Sequence, residues 1–163
     1  MSRRLIIMRH AKSSWANPSM TDHARPLNDR GNEEAPRVAE QLITLGWPPD
    51  FILSSDAERT RQTLARMNAV WGNKIAVEYL RSLYLAGYSE LTAAAQLIPE
   101  NAHTVMCLGH NPGWEEVVEE LSGQFVVMKT AMAALLDGPD LPWPDAIRQR
   151  GEWQLTDVVR GKH

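Results

Sequence analysis

Arginine and histidine side chains follow three short apolar runs of the sequence, near the point where each run ends. Arg9 and His10 come directly after the apolar run 5–8. Arg59 lies six residues after the run 51–53, and His110 lies two residues after the run 104–108. The guanidinium of arginine carries a rigid fork of N–H donors that fits phosphate oxygens. A neutral imidazole is a nucleophile near pH 7, and a protonated one adds a charge-assisted donor. This set of residues is therefore typical of chemistry on a phosphoryl group.

Each of these residues also has a structural interpretation that involves no chemistry. Arg59 near the beginning of a helix would be a solvated surface side chain, which is the usual place for arginine. His110, which precedes Asn111 and Pro112, would shape a turn. The functional interpretation therefore depends on whether the fold brings these separate segments together.

Short apolar runs that alternate with amphipathic stretches are expected to form the elements that position these residues. The apolar runs predict buried strands, and apolar residues at three- and four-residue steps predict helices. The expected strands are 5–8, 51–53, 75–79 and 104–108, and the expected helices are about 28–45, 56–70, 88–97 and 114–121. This alternation predicts an α/β fold, a three-layer α/β/α sandwich with a mostly parallel central sheet. In such sheets ligands bind outside the carboxyl ends of the strands.

Local signals refine the ends of these elements. Asn28 and Asp56 are the expected N-caps of the first two helices, because their side chains can accept hydrogen bonds from amides of the first turn. The end of the chain is less regular, with expected strands at 132–136 and 153–158. The proline-rich segment 137–150 is expected to be a loop, which either shapes the rim of the site or simply connects these two strands; we favour the second role.

Length and composition narrow the class of protein. A chain of 163 residues is expected to form a single domain over 1–163. It has 17 Lys and Arg against 20 Asp and Glu, a net charge of -3, whereas nucleic-acid binders usually show a basic excess. The apolar run before Arg9 is too short for a signal peptide or a membrane span. We therefore expect a cytoplasmic protein with no nucleic-acid or membrane partner, and with Cys107 reduced in a buried strand.

Four segments resemble the histidine phosphatase superfamily, and within it the small SixA-like phosphohistidine phosphatases. They are LIIMRHAKSSW at 5–15, DHARPLNDRG at 22–31, SSDAERTRQTL at 54–64 and LGHNPGWEE at 108–116. The first resembles the superfamily's strand followed by Arg-His-Gly, with Ala11 in the place of glycine. The third is similar to a Ser-x-x-x-Arg-Ala-x-x-Thr segment, and that register selects Arg59 rather than Arg61. The fourth resembles the Gly-His-Asn-Pro signature that holds the second histidine.

The resemblance implies a phosphoglycerate mutase-like fold and a phosphatase mechanism that uses no metal and no other cofactor. His10 would attack phosphorus and become a transient phosphohistidine, while its other ring nitrogen donates to a backbone carbonyl. Arg9 and Arg59 would bind the equatorial oxygens, and His110 would supply a further donor. Arg25 matches an additional anion-binding arginine of SixA-like proteins.

The chain departs from other branches of the superfamily at residues that bear on the substrate. Phosphoglycerate mutases have Glu and Asn where this chain has Lys12 and Ala16, and the acid branch has Asp where it has Asn111. The segment 81–84 lacks the proton-donating Glu of the mutases. An alkoxide leaving group benefits from such a donor, whereas the leaving nitrogen of a phosphoramidate can already carry its proton. The resemblance therefore favours protein phosphohistidine as the substrate.

The sequence is also compatible with two other functions. The same site could hydrolyse a small phosphorylated metabolite. Alternatively, the chain could be a non-catalytic module that binds phosphate through Arg9, Arg25 and Arg59 without forming a covalent intermediate. In every case we expect three arginines and two histidines to form one positive pocket, while most carboxylates lie elsewhere on helix faces.

Overall fold

A six-stranded sheet forms the centre of the computed structural model, which describes residues 2–161. The strands are β1 (Arg3–Arg9), β2 (Phe51–Ser55), β3 (Ala76–Leu80), β4 (Thr104–Gly109), β5 (Ala133–Gly138) and β6 (Gln154–Val159). Their order across the sheet is β3-β2-β4-β1-β5-β6. Strands β1 to β4 are parallel, and β5 is antiparallel to both of its neighbours. The predicted mostly parallel sheet is confirmed.

Helices cover both faces of this sheet. They are α1 (Asp29–Thr44), α2 (Glu58–Val70), α3 (Tyr88–Ala94), α4 (Gly113–Ser122) and α5 (Trp143–Ile147). Side chains alternate between the two faces along a strand, so Ile6 and Met8 pack against α1 and α2. Leu5 and Ile7 pack against α3, α4 and α5 on the other face. The predicted three-layer α/β/α arrangement is therefore confirmed, although α3 is shorter than predicted and continues as a 3₁₀ turn.

The three central strands end side by side. Arg9 at the end of β1 pairs with Gly109 at the end of β4, and Ser54 in β2 pairs with Leu108. These strands are apolar and buried on both faces, as expected for parallel strands between two helix layers. The segments that follow β1, β2 and β4 therefore leave the sheet at one edge.

Helix α1 begins beside the segment that follows β1. As predicted, Asn28 is the N-cap, and its side-chain oxygen accepts from the amide of Gly31 at 2.9 Å. A Cβ on Gly31 would lie 2.2 Å from the carbonyl oxygen of Lys12. Glycine at this position therefore lets the first turn of α1 approach the backbone just after His10.

The predicted N-cap of α2 is wrong. Ala57 occupies the capping position and makes no side-chain cap, while Asp56 pairs with Nε2 of His23 at 2.8 Å. The amide of Ala57 donates instead to Oγ of Ser55 at 3.2 Å. The carboxylate of Asp56 therefore binds His23, which lies in a distant loop, and does not cap α2 as the local sequence predicted.

The segment 137–150 is more than the connecting loop that the sequence predicts. Helix α5 lies within it, and Trp143 is fully buried in the core. Because Gly138 pairs with Arg3, the segment begins at the amino end of β1, opposite the edge where the central strands end. Buried apolar side chains among the prolines explain why it folds as a packed helix.

Two further expectations concern individual features of the described chain. As predicted, Cys107 is a fully buried strand residue, and burial raises the pKa of its thiol to about 12. Within residues 2–161 there is no helix with the length and apolar character needed to cross a bilayer.

Candidate active site

A cavity of about 400 Å³ lies at the edge where β1, β2 and β4 end. The five side chains that the sequence singles out all line it: Arg9, His10, Arg25, Arg59 and His110. They come from four separate segments of the chain. The functional interpretation required the fold to bring these segments together, and the structure does so.

His10 is only 5% exposed and is held through both its backbone and its ring. Its amide donates to the carbonyl of Gly109 at 3.1 Å, and its carbonyl accepts from the amide of Ala131 at 3.0 Å. Nδ1 lies 2.7 Å from the carbonyl oxygen of Ala11. A carbonyl can only accept, so Nδ1 carries the proton and Nε2 keeps a lone pair.

Arg59 stands in the first turn of α2 and is 3% exposed. It donates from Nε to Nε2 of His10 at 3.2 Å. It also donates from Nη1 to the carbonyl of Asp22 at 2.6 Å and from Nη2 to the Asp22 carboxylate at 3.0 Å. The lone pair of His10 therefore faces a guanidinium whose orientation a carboxylate maintains.

Arg9 and His110 each have a buried nitrogen without a hydrogen-bond partner among residues 2–161. Arg9 donates from Nη1 to the carbonyl of Met128 at 3.1 Å, while its Nε is buried without a partner among residues 2–161. The ring centre of His110 lies 5.2 Å from that of His10. Nε2 of His110 lies 2.7 Å from Oγ of Ser55, and Nδ1 has no partner in the described part of the chain. Both residues therefore have unused hydrogen-bonding capacity beside the cavity that they line.

Arg25 is buried beneath Trp15, which stacks on it. Its guanidinium carbon lies 3.6 Å from the centre of the Trp15 ring. Arg25 donates to Oγ of Ser13 at 2.6 Å, and through Nε and Nη2 to Oδ1 of Asp22 at 3.2 and 3.1 Å. Most of its N–H groups thus bind protein, so Arg25 offers the cavity its charge more than free donors.

Asp22 is a site residue that sequence reasoning missed. Its Oδ1 accepts from Arg25, and its Oδ2 accepts from Arg59 and from the hydroxyl of Tyr84. One carboxylate thus connects two arginines and offsets part of their charge, an exception to the expectation that carboxylates lie elsewhere. Its position three residues before Arg25 was an available signal.

Comparison with known proteins identifies the family. Residues 5–100 match the histidine phosphatase superfamily (branch 1). An uncharacterised chloroplastic protein of Arabidopsis thaliana is 43% identical over 170 aligned residues, which cover 98% of this chain and 78% of that relative. The chain belongs to the histidine phosphatase superfamily. The resemblance predicted from four short motifs is therefore confirmed.

Solved structures place this histidine phosphatase with SixA-like proteins. The candidate phosphohistidine phosphatase SixA from Agrobacterium tumefaciens is 30% identical, has a TM-score of 0.80 and is matched over 98% of both chains. Its counterpart from Nakamurella multipartitia is 29% identical, with a TM-score of 0.83 over 98% of this chain and 96% of that one. The chain is a SixA-like phosphatase whose substrate carries a phosphoryl group.

Both histidines of this histidine phosphatase are neutral at pH 7. Burial lowers the pKa of His10 to about 3, and the charges of Arg59 and Arg9 act in the same direction against the hydrogen bond to Ala11. Burial also lowers the pKa of His110 to about 3, assisted by His10 and Arg59. The free site therefore does not hold the protonated second imidazole that the residue types allowed.

These lowered pKa values predict a loss of stability in mild acid. An unfolded histidine has a pKa near 6.5, so below that pH the unfolded chain binds protons that the folded rings of His10 and His110 do not. The free energy of unfolding should fall between pH 7 and pH 5, by up to about 1.4 kcal/mol per pH unit for each ring. Urea titrations at pH 7, 6 and 5 measure this slope.

The variant His10→Asn isolates the contribution of one ring. Its free energy of unfolding should change with pH less steeply than that of the wild type, by up to about 1.4 kcal/mol per pH unit. Equal slopes for the two proteins would show that folded His10 takes up its proton as readily as an unfolded histidine.

Proposed function

We propose that the chain hydrolyses protein phosphohistidine through a covalent phosphohistidine on His10. In this proposal Arg9 and Arg59 bind the equatorial oxygens of the phosphoryl group, and His110 donates a further hydrogen bond. Arg25 adds positive charge to the same cavity. The proposal is supported by the family and by the way these five side chains converge on one cavity.

The reaction proceeds in two steps. Nε2 of His10 gives up its hydrogen bond from Nε of Arg59, and its lone pair forms a bond to phosphorus while the P–N bond of the substrate breaks. The electron pair of that P–N bond leaves with the substrate nitrogen. Water then attacks phosphorus, and the bond to Nε2 breaks with its electron pair returning to Nε2. Inorganic phosphate is released, and the protons of the water stay on it or pass to solvent. The hydrogen bond from Nδ1 to Ala11 keeps the ring aimed through both steps. Phosphoryl transfer needs mainly positioning and charge stabilisation, which the arginines supply.

The observation that carries the choice of substrate is the protonation state of the side chains around the cavity. Burial would raise the pKa of Asp22, but hydrogen bonds from Tyr84, Arg59 and Arg25 outweigh it and lower the pKa to about 2. Burial and the neighbouring Asp22 raise the pKa of Tyr84. Asp22 is therefore a carboxylate and both histidines are neutral at pH 7, so none of these three groups is an acid that readily protonates an alkoxide. The hydroxyl of Tyr84 donates to Asp22 and does not line the cavity. A phosphoramidate leaves through a nitrogen that can already carry its proton.

The mouth of the cavity supports a protein substrate. Trp15 is 73% exposed and Leu85 is 59% exposed, and both line the cavity. Large apolar side chains that are exposed together often mark a surface that contacts another protein. A phosphorylated side chain presented by a protein could therefore reach His10 while its apolar surroundings contact this rim.

A substrate panel tests the proposal. We expect kcat/KM to be highest for a protein carrying phosphohistidine, lower for 4-nitrophenyl phosphate, and lower for an alkyl phosphate ester by at least about 10²-fold, the size of a missing general acid. Phosphate release by the purified chain measures these values, with His10→Asn as the background for every substrate.

Two results would contradict the substrate assignment. A preference for alkyl esters would remove the argument from the leaving group. Equal kcat/KM for the free phosphorylated amino acid and for the phosphoprotein would favour a small phosphorylated metabolite instead.

A further inference from the structure

The hydroxyl of Ser55 lies buried between α2 and His110. Ser55 ends β2 and has no exposed surface. Its Oγ accepts a hydrogen bond from the amide of Ala57 at 3.2 Å, and the same oxygen lies 2.7 Å from Nε2 of His110. His110 lines the cavity, and its Nδ1 is buried with no hydrogen-bond partner among residues 2–161. Nδ1 is thus the ring nitrogen whose hydrogen-bonding capacity the described residues leave unused.

The proton of this hydroxyl decides which nitrogen of His110 carries a hydrogen. The amide of Ala57 can only donate, so Oγ accepts there and its own proton is left for a different acceptor. Nε2 of His110 lies within hydrogen-bond distance of it. Buried polar groups are rarely left unpaired. Nε2 therefore accepts from Ser55, and a neutral imidazole must then carry its single proton on Nδ1.

We propose that Ser55 is a positioning residue that holds His110 in the Nδ1–H tautomer, so that the neutral ring donates a hydrogen bond to the phosphoryl group. This inference rests on the proposed function, because it states how His110 acts in that reaction. The opposite tautomer would turn a lone pair toward the negatively charged oxygens. In this way Ser55 allows the imidazole of His110 to donate a hydrogen bond while the ring stays neutral.

The two histidines then share one tautomer and have opposite tasks. His10 donates from Nδ1 to Ala11, and its unprotonated Nε2 accepts from Arg59, which lines the same cavity. His110 is held through Nε2 and offers the N–H of Nδ1. One ring can attack phosphorus and the other can donate to its oxygens although both are neutral. Their hydrogen-bonding neighbours separate the two roles.

NMR of the ligand-free protein labelled with ¹⁵N-histidine tests this inference at pH 7.5. We expect long-range ¹H–¹⁵N spectra of the wild type to show His110 protonated on Nδ1. In Ser55→Ala we expect a shift toward the Nε2–H form and a fall in kcat of about 10²-fold, the typical effect of losing one transition-state donor. Ser55→Thr, which keeps a hydroxyl, should restore the wild-type tautomer and part of the activity.

A neighbouring serine provides the matched control. Ser54 is also buried, but its hydroxyl donates to the carbonyl of Ser55 at 2.9 Å rather than to a histidine. Ser54→Ala should therefore leave the tautomer of His110 unchanged. In every variant His10 should stay protonated on Nδ1.

Either of two spectra would overturn the inference. One is a wild-type His110 protonated on Nε2, and the other is a Ser55→Ala spectrum with His110 unchanged. If Ser55→Ala does not fold, Ser55→Cys replaces it, because a thiol is a weaker donor. The spectra need no substrate, so they judge Ser55 separately from the proposed function, which the substrate panel and the phosphoryl group on His10 test.

Discussion

Replacement of Arg59 by alanine should lower kcat/KM for 4-nitrophenyl phosphate by about 10³-fold or more, as loss of an arginine from a phosphoryl-transfer site does. Arg59 is buried, contacts Nε2 of His10 and points into the cavity. Replacement of Arg61 should change kcat/KM by less than about twofold. Residues two apart on a helix do not share a face, and Arg61 is an exposed side chain that donates to the carbonyl of Asp56. Steady-state kinetics of both variants measures the difference.

These two variants are matched because each removes one arginine from the same helix. Arg59→Lys adds a second comparison, since it keeps the charge but loses the planar fork that binds two oxygens. It should recover only part of the lost activity. A larger effect from Arg61 than from Arg59 would show that the second arginine of the site has been assigned to the wrong position.

Replacement of His10 by asparagine should reduce turnover by at least about 10³-fold, since the nucleophile of a covalent mechanism is lost. The arginines should still bind phosphate, because Arg59 keeps both of its hydrogen bonds to Asp22. Phosphate-release kinetics measures the loss of turnover, and the affinity for vanadate shows whether the site still binds an oxyanion.

His103→Asn is the matched control for this variant. His103 directly precedes β4, at the opposite end of that strand from the cavity, and its amide donates to Asp50 at 2.9 Å. Activity should stay within about twofold of the wild type. If His10→Asn keeps substantial turnover, another group is the nucleophile.

Much of the fold follows from local patterns in the sequence. The runs that became β1, β2 and β4 are short and apolar because parallel strands between two helix layers are buried on both faces. Helix α1 combines a clear apolar stripe with the cap at Asn28, so its beginning could be predicted closely. The direction of β5 could not, because an isolated apolar run carries no information about whether its neighbour is parallel.

Hydrogen bonds between distant segments explain the features that local patterns did not predict. Asp22 lies in a polar stretch three residues before Arg25, but its other partners, Arg59 and Tyr84, reach it only through the fold. The sequence around Asp56 is typical of a helix N-cap, but in the folded protein its carboxylate pairs with His23 from another loop. Pair distances of this kind arise from tertiary packing and leave no spacing in the sequence.

The protonation of the site depends on burial as well as on residue type. The imidazole of His110 could have been a charged donor on sequence alone, but the structure buries it beside His10 and Arg59 and lowers its pKa to about 3. The desolvation that lowers the pKa of an imidazole depends on all the elements that pack around the ring. Which residues carry the chemistry could thus be predicted from the motifs, while their charge states required the assembled cavity.

The phosphoryl group on His10 is the most direct test of the proposed mechanism. Wild-type protein is mixed briefly with a phosphohistidine protein, quenched in base and digested for mass spectrometry. We expect one phosphoryl group on His10, stable in base and lost in mild acid, and none in the His10→Asn variant treated in the same way. Phosphorylation of a different residue, or full turnover with no phosphorylated intermediate at any mixing time, would contradict the mechanism.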